Sequence, residues 1–141
     1  MSLNGAVLAL QSKMAAISGV RLVPDYPTDT AAVFPAIVSY CVGLNGSELR
    51  GGALGEGGEM RDLWVIATEI HVPNKDTAQG IEALQQLWEP FLAAVWSDTL
   101  LGGNVDTIEA VTGELDGEGN WGGIGTLVLR FRTNVKIRRI A

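Results

Sequence analysis

Residues 124–140, IGTLVLRFRTNVKIRRI, constrain the fold more than any other segment, because apolar and polar residues alternate along most of their length. Successive side chains of an extended strand point to opposite faces. One face therefore reads Leu127, Leu129, Phe131, Thr133, Val135, Ile137, and the other reads Val128, Arg130, Arg132, Asn134, Lys136, Arg138. Such a strand needs an apolar layer on one side and presents a row of cations on the other, as in a sheet with its core against a single face. Residues 62–72 alternate in the same way, with Trp64, Ile66, Thr68, Ile70 and Val72 on one face and Leu63, Val65 and Ala67 on the other.

The remaining elements follow from helical spacing and from glycine and proline. Leu3, Val7, Leu10, Met14 and Ile17 predict a helix over 2–18, with Ser2 as N-cap and Gly19 as its stop. Residues 20–23 read as a short strand, and PDYPTDT at 24–30 as a turn-rich connection. Residues 36–42 are apolar on both faces, which predicts a central strand covered on each side. The segment 43–59 holds seven of the chain's 18 glycines, and a Gly-rich hairpin loop over 43–60 is expected to order only against a partner. After a cap at Asn74–Thr77, Ile81, Leu84, Leu87 and Trp88 mark a second helix. Pro90 predicts a break at Glu89 and a new helix through Phe91, Val95 and Trp96, closed by Gly102 and Gly103. A strand at 105–115 and a Gly-rich turn at 116–123 lead into the final strand. At 141 residues this order predicts a single α+β domain, a mixed but mainly antiparallel sheet flanked by helices.

No apolar stretch approaches the ~20 residues needed to span a bilayer. The first twenty residues lack a basic leader and read as an amphipathic helix, so a soluble protein assembled in the cytoplasm is expected. A net charge of -6 argues against general nucleic-acid binding. The lone Cys41, in PAIVSYCV, reads as a small buried hydrophobe. Charge is unevenly placed: Arg130, Arg132, Lys136, Arg138 and Arg139 are half of the ten basic residues, and Asp106, Glu109, Glu114, Asp116 and Glu118 precede them. That asymmetry predicts interfaces of opposite character.

Catalytic motifs are missing. His71, with Glu69 two residues earlier on the same face, reads as a surface or interface histidine, because its neighbourhood offers too few ligands for a metal. The run GGALGEGG at 51–58 lacks the Lys-Ser/Thr of a phosphate loop. The acidic string Glu114–Glu118 lacks a calcium loop's twelve-residue frame and reads as a solvated hairpin tip. No catalytic, cofactor-binding or metal residue is therefore assigned, and a non-enzyme is expected. The basic row has three readings: a solvated face, a surface pairing with a neighbouring subunit, or a DNA contact. Trp121, isolated in a Gly-rich turn, is the candidate anchor. The candidate interface set is Glu48, Arg50, Glu56, Glu59 and Arg61 on the hairpin, Asp116, Glu118 and Trp121 at the acidic turn, and Arg130, Arg132, Lys136, Arg138 and Arg139 on the last strand.

The order of short cues also carries a resemblance. An N-terminal helix is followed by Asp25-Tyr26-Pro27 and by a strand introduced by Phe34-Pro35-Ala36; after the Gly-rich hairpin come a strand and a helical region. Thr99-Leu100-Leu101-Gly102-Gly103-Asn104-Val105 then leads into the strand of Glu109 and the long last strand. Over nearly its whole length the chain resembles the tail terminator, or tail completion, proteins of long-tailed bacteriophages. The resemblance implies a homo-hexameric ring in the virion, on the head-proximal end of the tail tube. Such a ring ends tube polymerisation and offers a surface to head completion proteins. Its partners would be further copies of itself, the major tail tube protein and the head connector, with DNA passing through the lumen without sequence-specific contact and no membrane involved. Residues 136–141 are then expected to act as a joining arm. A head–tail connector or neck protein is the alternative reading, and an unrelated small ligand-binding domain or enzyme the second.

Overall fold

The computed structural model describes residues 2–21, 23, 34–51 and 58–140. Helix α1 spans Leu3–Ala15, strand β1 Ala36–Arg50, β2 Glu59–Pro73, helix α2 Thr77–Trp96, β3 Thr107–Trp121 and β4 Ile124–Ile140. The strands make one sheet in the order β1-β2-β4-β3, with every neighbouring pair antiparallel. The α+β architecture expected from the residues is thus what the chain adopts. Two hairpins, β1–β2 and β3–β4, are joined by α2, and β4 slots between β2 and β3.

Both helices pack on the face of the sheet that carries Ile66, Ile70, Leu127, Leu129, Phe131 and Val135. Helix α1 contributes Ala6, Val7, Leu10 and Met14, and α2 contributes Leu84, Leu87, Phe91 and Val95. Phe131 is the centre of this core: its ring stacks on Phe91 at 3.8 Å between centroids and meets Trp88 edge-on at 5.4 Å. Gly113 on β3 makes room for that ring, since a Cβ there would lie 2.7 Å from it. Ser2 caps α1 by accepting from the Gly5 N–H at 2.9 Å, and Asp76 caps α2 by accepting from that of Gln79 at 3.2 Å.

Six local expectations are corrected. Val20, Arg21 and Val23 form no strand, although Arg21 N donates to Pro35 O at 3.0 Å. Strand β1 is an edge strand, not a central one; its residues are apolar on both faces because the helices lie on one side while Trp121 and Phe34 pack with Ala36 and Val38 on the other. Much of the expected hairpin loop is strand: β1 and β2 pair as far as Arg50 opposite Glu59, accommodating the glycines through two bulges, and residues 52–57 lie outside the described residues. Helix α2 is continuous through Pro90. Pro90 and Gln86 are both exposed, so the hydrogen bond that Pro90 cannot donate is lost on the solvent side. The eight-residue turn expected at 116–123 is a two-residue turn, because β3 runs on to Trp121 and only Gly122 and Gly123, at φ +58° and +81°, remain to reverse the chain. Finally, Lys136–Ile140 is not an arm, since it pairs with β2 over Glu59–Leu63. The Asp25-Tyr26-Pro27 cue and the connection 24–30 lie outside the described residues.

Two stability measurements check this account. Phe131→Ala should cost about 3–5 kcal/mol in chemical denaturation. Pro90→Ala should raise stability by roughly 1–3 kcal/mol, because it restores a helical hydrogen bond in an unbroken helix; a loss of stability would contradict the continuity of α2.

Candidate functional site

The helices cover one face of the sheet, so the even-numbered residues of β4 fall on the other. Register places Arg130 between Glu69 and Glu114, Arg132 between Ala67 and Thr112, Asn134 between Val65 and Ala110, and Lys136 between Leu63 and Thr107. Arg138 faces Arg61. On β1 the same face carries Ala36, Val38, Tyr40, Gly43, Gly46 and Glu48. Among the described residues, only Trp121 and Phe34 are packed over it, at the end nearest Ala36 and Val38.

Most of the cations are already paired within the chain. Arg130 contacts Asp116 and lies 4.0 Å from Glu69. Lys136 reaches Asp106 at 3.5 Å and Glu109 at 3.7 Å. Arg138 reaches Glu59 at 3.3 Å and Asp106 at 2.5 Å, and Arg61 joins Glu59 at 3.1 Å. Half-exposed pairs of this kind contribute only about 0–1 kcal/mol each, so their effect is to neutralise the row rather than to hold the sheet. Arg132 is the exception: it is exposed and has no ion pair among the described residues. Arg139 points to the helix side, where it meets the buried Asp62 at 2.5 Å, and Asp62 also accepts from Ser47 Oγ at 2.5 Å.

At the covered end lies a polar knot. His71 is buried, with Nε2 2.9 Å from Glu69 Oε1 and Nδ1 2.8 Å from Thr126 Oγ1. Trp121, 5% exposed, meets the His71 ring edge-on at 4.9 Å. Tyr40 donates its hydroxyl to Glu69 Oε2. The hydrogen bond from His71 holds the Glu69 carboxyl below the usual carboxylate range against the effect of burial, with Tyr40 and Arg130 adding to it. Burial, and then the Glu69 carboxylate, push Tyr40 up to about 12. Asp116 is lowered first by the Glu118 N–H and then by Arg130.

Two sequence expectations change here. His71 is not a surface or interface histidine, because both its ring nitrogens are occupied inside the sheet. Trp121 is not a free anchor, because the two-residue turn places it as the last residue of β3, folded over β1 and His71. Among the other candidates, Glu59, Arg61, Lys136 and Arg138 gather at one end of the open face and Asp116 and Arg130 at the other. Glu118 is exposed beside Asp116, and Glu48 opposes Arg61. Glu56 and the side chain of Arg50 lie outside the described residues. The anionic partners Asp62 and Glu69 were missed as site residues. Glu69 could have been found by its parity with His71, whereas nothing in the pattern marks Asp62 as buried.

Among the described residues, no group of three His, Cys, Asp or Glu side chains is placed to hold a metal ion, and no helix is long and apolar enough to cross a membrane.

The knot predicts a pH dependence. Since the Glu69 carboxyl is depressed in the fold, its contribution is present above the unfolded value of about 4.3 and is lost as pH falls through the lower folded one. Glu69→Gln should therefore cost about 1–3 kcal/mol at pH 7, and the gap from wild type should close in denaturation curves taken progressively below pH 4. A gap that stays constant with pH would show that Glu69 is not held as a carboxylate.

No protein-family model matches the chain, and no curated protein matches it.

Proposed function

We propose that this chain is a structural assembly subunit that terminates a bacteriophage tail tube as a ring and offers a joining surface to the head. The observation that carries the reading is the helix-free face: among the described residues, a sheet of four strands leaves most of one side without a second layer, and its cations are largely neutralised from within. Such a face can stand in water in a monomer, and it is equally the kind of surface on which a ring subunit packs against its neighbours. The long β1–β2 hairpin supports the reading, because β1, β2 and the end of β4 run on past the start of β3 at Thr107. The resemblance of element order and short cues to tail terminator proteins supplies the partners: further copies, the tail tube and a head connector.

The test uses purified protein and isolated tail tubes. Negative-stain microscopy should show rings, free or on one end of each tube, and removal of the gene should give tails of uncontrolled length. Finished tails of normal length that fail to join heads would favour a neck protein instead.

A further inference from the structure

Two features on opposite sides of the molecule have no partner among the described residues. The first is the outer stripe of α2. Glu82, Gln86, Glu89, Ala93 and Trp96 follow a 4-3-4-3 spacing, are all exposed, and lie opposite the core stripe of Leu84, Leu87, Phe91 and Val95. Trp96 is 45% exposed at the solvent pole of a helix. The helix carries two charges, Glu82 and Glu89, and no cation. The second feature is the middle of the open sheet face, where Arg132 stands without an ion pair among the described residues and β1 carries no side chain at Gly43 and Gly46. A Cβ built on Gly43 or Gly46 meets nothing within 4 Å, so the space above them is open.

Glu89 and Trp96 are seven residues apart, about 10 Å along the helix axis. Arg132 and the Gly43–Gly46 pair are about three residues apart along the strands and two strands apart across them, roughly 14 Å, and the long Glu89 and Arg132 side chains span the difference. We propose that the outer stripe of α2 in one copy docks on the open sheet face of the next, with Glu89 paired to Arg132 and Trp96 seated over Gly43 and Gly46. The contact rests on the ring reading above and specifies its faces. Because the two surfaces lie on opposite sides of one subunit, the association is head-to-tail, the kind that closes into rings. An unpaired cation against an all-acidic helix sets the register, and the indole supplies the apolar area.

The full-length chain tests this by sedimentation velocity and mass photometry over a range of concentrations, with thermal melts to verify folding. Arg132→Glu and Glu89→Arg should each weaken self-association at least about tenfold, and the double variant should recover most of it because each contact then regains opposite charges. Trp96→Ala should also weaken it. Gly43→Val places a branched side chain where the indole would sit, at a position without positive φ, and should block association while leaving the melt unchanged. If wild type assembles and the charge variants assemble equally well, or the double variant fails to recover, this contact is wrong while the ring reading stands. If wild type is monomeric both alone and on tube ends, both fail together. Sensitivity of tube binding to Arg132→Glu but not to Glu89→Arg would make the tube protein the occupant and overturn the proposal.

Discussion

Strand β4 hydrogen-bonds along both sides, to β2 over Pro73–Glu59 and to β3 over Thr107–Trp121, and every other element is placed by that insertion. Its apolar side chains give the two helices their floor, with Phe131 held between Phe91 and Trp88. Its polar side chains fall on the other side by the same two-residue period. The core and the candidate interface are therefore two readings of one strand, and no substitution at a single β4 position can affect both faces directly.

The alternation of β2 and β4, the Ser2 cap and the amphipathic stripes of both helices were legible in the sequence because each depends on local periodicity. What was misread depended on contacts between distant segments. Residues 36–42 look central because both faces are apolar, yet the second cover comes from Trp121, about eighty residues later. Pro90 looks like a break because propensity knows nothing of which side of the helix faces water. The acidic string 114–118 looks like a turn because glycines surround it, whereas pairing with β4 carries the strand on to Trp121 through a bulge between Asp116 and Gly119. Of the candidate site, the cations were visible as a row. Their neutralisation by Asp106, Glu109, Glu59 and Asp116 was not, since it needs the sheet order.

Neutralisation also changes what the face can do. A row of free arginines would attract any polyanion, nucleic acid included. Tied to carboxylates, it offers a surface in which Arg132 is the cation left without an ion pair among the described residues, suited to a partner of defined shape rather than to a field of negative charge. The buried knot at His71 serves the same face from the other end, because it fixes Trp121 and so fixes where the covered part of the sheet stops.

The two hairpins are local in sequence, each closed by its own turn, but the seam between them joins β2 to a strand some sixty residues further on. β4 is also the last of the four strands to leave the ribosome. Until it emerges, β2 and β3 have no common neighbour and the open face does not exist. A chain still lacking β4 also lacks the floor on which both helices pack, so on the reading proposed above it has no such surface to offer a second copy.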